Sequence, residues 1–342
     1  MVIFRSIAFL FFMGAIAVAS ENCSESVLDS REYDLISREI NTIIPLLYQT
    51  DIPKAENLVK KIDVLIEKNP LIPKYYISRH ELNSSFANAE TDPARKKALI
   101  AMAEKDLQKV YSFDIVSPEI LVFRADNEEN PKKKLELIRK CIELYPNYEG
   151  TLNLWINENM FSGDKNELLR YADKLVEIDP TNPEAYVTRA SVYLLRFKQS
   201  YAIRDAEYAI KLGAKGDYIY FILGVGLNNS GEYEKAVSAF TTGLSIVETL
   251  YINGRFNFSA QIYADIGWSK MRLKKYDEAI YYSKKALSSS YSHPSNSEFA
   301  YDNILAALKK TNRVKEFKET LDEAKKKFPS SGRLAPYFKE GE

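Results

Sequence analysis

A repeating distance of 34 residues is the feature that most limits what this chain of 342 residues can fold into. Small or branched residues recur at this spacing along the middle of the sequence, and so do the first two members of a series of alanines. A fixed period of this length indicates that one supersecondary unit is copied and stacked, so that neighbouring copies bury a continuous core. The first series is Val122, Ile156, Ala190 and Gly224, continued at wider spacing by Gly267 and Leu305; the second is Ala202, Ala236 and Ala279.

Each repeat is predicted to be a pair of antiparallel helices. Apolar residues recur every three or four positions, whereas the alternation typical of strands is nearly absent. Apolar residues make up 46% of the chain, which is enough to cover the faces between packed helices. Because proline cannot continue a helix, the second helix of several repeats is predicted to end just before Pro70, Pro146, Pro180 and Pro329.

Three segments resemble tetratricopeptide repeats. In one of them, the family's marker positions are occupied by Tyr263, Gly267, Tyr276, Ala279 and Ala286. The resemblance implies an all-α fold, a right-handed superhelical solenoid of about eight antiparallel helix pairs. The segments that carry it are residues 183–214, 217–246 and 260–290.

The resemblance covers residues 149–329 well and weakens upstream, where Pro45 and Val122 occupy positions at which the family prefers Leu and Gly. Two departures from the period, at 81–93 and 248–258, are expected to form loops or lengthened helices. The predicted organisation is a signal peptide at 1–19, an N-terminal tail at 20–38, degenerate repeats at 39–146, clearer repeats with a polar C-terminal cap at 147–331, and a partly mobile C-terminal tail at 332–342.

The resemblance also implies how each repeat packs. Small residues on both helices let the two backbones approach closely, and one tyrosine on each first helix is expected to fill the seam against the preceding repeat. Left-handed residues are expected at the turn between the two helices. The tyrosines are Tyr186, Tyr220, Tyr263 and Tyr301, the turn residues are Gly163, Gly231 and Asn312, and the turns at Phe197 and Lys274 are expected to be tighter or differently capped.

The first nineteen residues read as a secretory signal. Arg5 precedes an apolar run over residues 7–18, and Ala17-Val18-Ala19 supplies the small residues that a signal peptidase requires. Cleavage after Ala19 predicts a secreted or periplasmic protein with no membrane span after signal cleavage. An uncleaved membrane anchor is the alternative, although the run falls short of the ~20 residues that span a bilayer.

Charge and cysteine content narrow the classes of partner. The chain has 47 basic and 47 acidic residues, and it lacks the basic stripe that a nucleic-acid-binding protein needs. No nucleic acid partner is therefore expected. Cys23 and Cys141 permit one disulfide in an exported chain, but the repeat places a small core residue at position 141, where a free buried thiol also fits. The sequence sets no oligomeric state.

Catalytic residues, cofactors and metals are not predicted. His80 and His293 are the two histidines, and the sequence lacks a Gly-rich phosphate loop, paired-cysteine metal spacing and a Ser nucleophile elbow. Acidic pairs occur at helical spacing, as is typical of solvated helix faces. We therefore expect a binding protein and not an enzyme.

In tetratricopeptide proteins the first helices line a concave groove, so the resemblance implies a partner-binding surface there. Its lining is mixed apolar and amide, and it lacks the Lys of the clamp with which some members hold a terminal carboxylate. An extended peptide or a helix of a protein partner is expected, anchored by Phe221 and Trp268. The predicted groove residues are Asn153, Asn157, Val187, Ser191, Leu194, Phe221, Val225, Asn228, Asp265, Trp268, Met271 and Arg272.

Two alternatives stay open at this point. Each groove residue could instead pack between repeats, and packing is the favoured role for Val187 and Val225. The chain could also bind glycan or cell-wall fragments, with or without hydrolytic activity, by stacking sugars on Trp268 and nearby tyrosines. The favoured function is an exported scaffold or adaptor that binds a protein or peptide.

Export gives the first testable prediction. The mature chain is expected to begin at Ser20 and to be soluble, because the apolar run is short and ends in small residues. N-terminal sequencing of the exported protein checks this. Recovery of Met1 from washed membranes would contradict it.

Overall fold

The structure is a computed structural model that describes residues 33, 35–37, 40, 52–113, 117–161, 163–250, 259–289 and 294–340. The predicted signal peptide, Cys23 and most of the 248–258 departure lie outside these residues. The chain divides into an N-terminal unit, residues 1–180, and a C-terminal unit, residues 181–342. The described residues contain helices and no strand, and none of these helices is long and apolar enough to cross a membrane.

The N-terminal unit consists of helices that pack as antiparallel pairs. Tyr33, Ile36 and Ile40 are helical and form one apolar cluster with the first two long helices. The α2–α3 pair is long, so the departure at 81–93 is a lengthened helix pair. The helices are α1 (Ile52–Lys68), α2 (Pro73–Ala89), α3 (Pro93–Ser112), α4 (Pro118–Asp126), α5 (Pro131–Leu144), α6 (Glu149–Asn159) and α7 (Lys165–Ile178).

The C-terminal unit contains four more pairs and a final short helix. The first helix of each pair contacts its own second helix and the first helix of the next pair. The helices are α8 (Pro183–Leu195), α9 (Gln199–Lys211), α10 (Asp217–Asn229), α11 (Tyr233–Leu250), α12 (Ser259–Arg272), α13 (Tyr276–Ser288), α14 (Pro294–Lys310), α15 (Val314–Lys327) and α16 (Ala335–Glu340).

Helix ends follow the proline signals. The helices before Pro70, Pro146, Pro180 and Pro329 end two residues before the proline in each case, at Lys68, Leu144, Ile178 and Lys327. Two of the four helices that follow these prolines, α2 and α8, begin with proline at the first position, where its missing N–H costs nothing. The predicted helix-pair architecture is confirmed.

Close approach within a pair explains the small residues. A Cβ added to Gly224 of α10 would lie 2.5 Å from the Phe240 ring on α11. A Cβ on Gly267 of α12 would meet the Ser283 hydroxyl on α13. Ala236 and Ala279 are fully buried on the facing helices. These positions have no room for a larger side chain.

The tyrosines of the first helices also contact the second helix of their own repeat. The Tyr186 ring packs edge-on against Tyr208 of its own second helix, with ring centroids 4.7 Å apart. Tyr301 donates to Glu323 of its own second helix at 2.6 Å. Tyr263 meets its own Tyr282 and also packs against the preceding repeat. The contact of Tyr263 with the preceding repeat agrees with the prediction, and the contacts of Tyr186 and Tyr301 with their own second helices are additional.

The turns inside the C-terminal repeats share one left-handed geometry. Gly231 and Asn312 adopt positive φ values of 82° and 54°, as expected, but Phe197 and Lys274 do too, at 55° and 61°. The prediction of a different cap at Phe197 and Lys274 was wrong. Gly163 follows residue 162, which lies outside the described residues, so the left-handed geometry at that turn stays a prediction. Each of the four left-handed turns closes with the same backbone hydrogen bonds, such as Lys198 N–H to Tyr193 C=O at 2.9 Å.

The C-terminal tail folds back onto the last pair. Leu334 is fully buried with Leu321 and Ala324, and Tyr337 and Phe338 pack against the same cluster. The end of the stack is thus covered by α16, because α15 leaves an apolar stripe that the tail can bury. The tail over 332–342, predicted to be partly mobile, thus has packed residues at Leu334, Tyr337 and Phe338.

Helix α2 buries an unusual number of polar side chains. Glu81 is among them, and its Oε2 atom has no hydrogen-bond partner. Burial, with a smaller contribution from Asp126, raises the pKa of Glu81 to about 8. The charged form is therefore disfavoured inside the fold. The other buried polar residues of α2 are Ser78, His80, Asn83 and Ser85.

Cys141 carries a free, buried thiol. Its Sγ atom lies 2.8 Å from the Thr151 hydroxyl, and burial raises its pKa to about 11. The thiol is therefore protonated near neutral pH and fills the small core position that the repeat requires.

The close helix approach predicts the cost of enlarging a small residue. Ala236→Leu is expected to destabilise the protein by roughly 1–3 kcal/mol, because the fully buried site has no space for the added atoms. Lys326→Ala, at an exposed position of α15, is expected to change stability by less than about 0.5 kcal/mol. Chemical denaturation checks both variants. Equal midpoints would contradict the assigned packing.

Burial of Glu81 predicts a pH-dependent effect of its removal. A carboxyl whose folded pKa is raised penalises folding once pH exceeds its unfolded pKa, and the penalty is complete above the folded value of about 8. Glu81→Gln should therefore stabilise the protein by about 1–3 kcal/mol at pH 9 and have little effect at pH 4. Denaturation at both pH values measures this, with exposed Glu319→Gln as the control. The same difference at both pH values would show that Glu81 is not desolvated.

Candidate functional site

The first helices of the C-terminal unit, α8, α10, α12 and α14, contact one another in sequence. They form one continuous surface, which we call the inner face. Ten of the twelve predicted groove residues lie on α8, α10 and α12. Asn153 and Asn157 lie on α6 of the N-terminal unit, where both are half-buried. The structure thus groups the predicted residues into two sets that are described separately.

The α8 part of the inner face is closed by packing. Val187 is buried, and so is Ser191, which lies 2.9 Å from the Val187 carbonyl and 3.2 Å from the Tyr218 hydroxyl. Leu194 is half-buried. Val187 and Ser191 therefore hold α8 against α10 and offer little surface to a partner. For Val187, this is the packing role that the sequence favoured.

The α10 part presents aromatic rings. Tyr218 and Phe221 stack with ring centroids 6.4 Å apart, and both keep some exposed surface. Phe221 also packs against Phe240 of the core at 6.3 Å, and half-buried Val225 joins the same cluster. Phe221 therefore combines a packing role with a partly exposed ring.

Asn228 joins α10 to α12. Its side chain is buried, accepts from the Ser269 hydroxyl at 2.7 Å and donates to the Asp265 backbone carbonyl at 3.4 Å. A side chain held in this way satisfies a buried polar contact between repeats. Asn228 therefore fixes the spacing of the inner face.

Asp265 is the acidic residue of the predicted set. Gln261, one turn earlier on α12, donates to its Oδ2 atom at 2.8 Å. Burial raises the pKa of Asp265 to about 7, although the residue keeps part of its surface exposed. This combination describes a carboxyl in a recess, surrounded by protein and still reachable from solvent.

Trp268 lies one turn beyond Asp265. Its ring centroid is 6.0 Å from that of Phe299 on α14, and the Arg272 guanidinium lies 5.5 Å from it. Arg272 also donates from Nε to the Tyr233 hydroxyl at 2.9 Å. Met271 is half-buried against the cluster of α13 and α14. Trp268 remains half-exposed, so its ring contributes to the surface.

Two residues of the inner face were missed in the sequence. Glu184 lies one turn before Val187 on α8, and burial raises its pKa to about 7. Burial also raises the pKa of Tyr218, and the hydrogen bond with Ser191 lowers this pKa by a smaller amount. Their positions on the inward stripe of α8 and α10 were the available signal, but a charged residue near a helix start also fits a solvated first turn.

Other acidic residues are neutralised by pairing. Arg189 donates to buried Asp205 at 2.6 Å, and Arg79 donates to Asp106 and Asp63. Within the described ranges, no group of three or more His, Cys, Asp and Glu side chains could hold a metal ion. The chemistry available on the inner face is therefore hydrogen bonding, ring contact and charge pairing.

Comparisons with known proteins concern the fold. No protein-family model matches the chain. Small glutamine-rich tetratricopeptide repeat-containing protein 2 of Mycosarcoma maydis is 30% identical over 90 residues, 26% of this chain and 26% of that protein, so the chain spans about a quarter of that relative's length.

Two solved structures are similar over larger parts of the chain. One, from the APC/C hetero-tetramer Cut9-Hcn1, covers 98% of this chain and 62% of its own at 13% identity, with a TM-score of 0.61. The type IV pilus biogenesis factor PilW covers 65% of this chain and 98% of its own at 12% identity, with a TM-score of 0.56. The chain therefore has the fold of a tetratricopeptide-repeat protein, an all-α solenoid of about eight helix pairs.

Proposed function

We propose that this protein is an exported scaffold or adaptor that binds a protein or peptide on the inner face of its C-terminal unit. The observation that carries the proposal is the exposure of two aromatic rings there. Phe221 and Trp268 stay partly exposed on successive first helices, whereas Val187 of α8 is buried. Aromatic side chains provide much of the energy in protein interfaces.

The fixed spacing of the helices supports a binding role. Asn228 ties α10 to α12, and Asn303 of α14 donates to the Ala264 carbonyl of α12 at 2.9 Å. Side chains carried on such tied helices lose little conformational freedom when a partner binds, which reduces the cost of association. The structural neighbour from the Cut9-Hcn1 hetero-tetramer is itself part of a protein complex.

Export is part of the proposal through the leader at residues 1–19, which lies outside the described residues. A pull-down from the exported fraction with the mature chain identifies the class of ligand. A stoichiometric protein supports the proposal. Retention on cell-wall material without a protein partner would favour the glycan alternative.

The anchor role of Phe221 and Trp268 gives a sharper test. Replacing both with Ala is expected to weaken binding to the recovered partner by about 2 kcal/mol or more, the scale of an interface hot spot. The helical content should remain nearly unchanged, since the core of α10 and α12 is retained. Titration of the partner and far-UV circular dichroism measure the two quantities.

Tyr281→Ala is the matched control, because Tyr281 is an exposed aromatic residue on the second helix α13. It should leave the affinity unchanged. If the double variant instead loses roughly 3–5 kcal/mol of stability for each ring and its folded fraction keeps full affinity, the two rings are packing residues. That result would overturn the groove assignment.

A further inference from the structure

The Asp265 carboxylate is considered first, because among the described residues it has no cationic partner of the kind that Asp205 and Asp106 have. Asp205 and Asp106 are paired with arginines, whereas no described Lys or Arg forms an ion pair with Asp265. Its side-chain donor is the neutral amide of Gln261. A partly buried carboxylate with one neutral donor is incompletely solvated, so a cation that reaches it gains more than it would at an open surface.

Aromatic rings accompany this carboxylate. Trp268 follows it by three residues on α12, so the two side chains share one face of the helix. Phe299 of α14 extends the aromatic surface from Trp268. Ring faces attract a guanidinium or ammonium group, and a nearby carboxylate adds charge pairing.

The chain contains one example of this arrangement with an arginine in place. Phe299 and Asp302 lie three residues apart on α14, the same spacing as Asp265 and Trp268 on α12, with the order of ring and acid reversed. The Arg333 guanidinium lies 4.9 Å from the Phe299 ring centroid and 3.4 Å from Asp302 Oδ2. Helix α14, the first helix of the last pair, thus uses an aromatic ring and an acid to hold an arginine of the folded-back C-terminal segment.

Nearby charges on the inner face agree with a basic ligand. Glu184 on α8 is a second recessed carboxyl without a described ion-pair partner. Arg272, a cation on this surface, is directed to the Tyr233 hydroxyl and the Trp268 ring. The acids therefore remain available for charges brought by a partner.

We propose that the ligand of the inner face is a basic segment of a protein partner, with an arginine side chain seated on Asp265 beside Trp268. The inference rests on the proposed function, since it names the chemistry of the segment bound at the same surface. Charge complementarity between Asp265 and the arginine is the source of selectivity among segments. An acidic or neutral segment of the same shape binds more weakly.

The test uses three heptapeptides with the frame Gly-Leu-Ala-X-Ala-Leu-Gly, which carry fluorescein on the N-terminal amine and an amide at the C-terminus. X is arginine, its neutral isostere citrulline, or glutamate. Fluorescence anisotropy with the mature full chain should rank arginine tightest and glutamate weakest. Asp265→Asn should weaken the arginine peptide about tenfold, the scale of one charge-assisted hydrogen bond, and leave the citrulline peptide unchanged.

Asp322→Asn is the matched control, because Asp322 is an exposed acid on α15, away from the first helices. It should not change any of the three affinities. Thermal melts establish that both variants are folded before binding is measured.

The outcomes separate this inference from the proposed function. Equal binding of the arginine and citrulline peptides, or an unchanged arginine affinity in Asp265→Asn, overturns the inference. So does the absence of binding of all three peptides up to about 1 mM. In each case the proposed function survives if Phe221→Ala with Trp268→Ala still weakens the partner recovered by pull-down, and fails if it does not.

Discussion

The contact between the two helices of each repeat is the constraint on which the rest of this structure depends. Gly224 and Gly267 leave no room for a Cβ atom against Phe240 and Ser283, and Ala236 and Ala279 are fully buried. Because the distance between paired helices is set by these small residues, each repeat has one thickness and one register. Successive first helices of the C-terminal unit therefore meet side by side, and their side chains form the inner face.

The turns show the strength of this constraint. Phe197 and Lys274 adopt the left-handed conformation that costs an ordinary residue about 1–2 kcal/mol, and they close with the same hydrogen bonds as the turn at Gly231. The local sequence does not favour this conformation at either position. Packing of the two helices imposes it, since a turn of another shape would displace the second helix from its contact. The strain at these two turns is thus tolerated because it preserves the packing contact between the two helices of the repeat.

Much of the fold could be predicted because period, small residues and proline act locally or between adjacent helices. The ends at Lys68 and Leu144 followed from the next proline, and the buried alanines followed from the period. The solvent exposure of the predicted groove residues could not be predicted in the same way. Ser191 and Asn228 occupy inward positions but are buried by contacts with Tyr218 and Ser269, which belong to the next repeat. The outcome depends on side chains some 27 to 41 residues away.

The C-terminal segment was unpredictable for a related reason. Its helix has only six residues and is stable only because α14 and α15 present an apolar cluster that Leu334 can enter. In doing so it places Arg333 over Phe299 and beside Asp302.

The same physical account explains why Asp265 differs from Asp302. Asp302 has Arg333 and the Tyr337 hydroxyl as partners from the folded-back segment, whereas α12 has another repeat, and not a chain end, packed beyond it. Beside α14, the folded-back segment supplies an arginine to the acid. Beside α12, the next repeat occupies that place, so Asp265 has no such segment next to it. Burial therefore raises the pKa of Asp265 to about 7, opposed only by the hydrogen bond from Gln261.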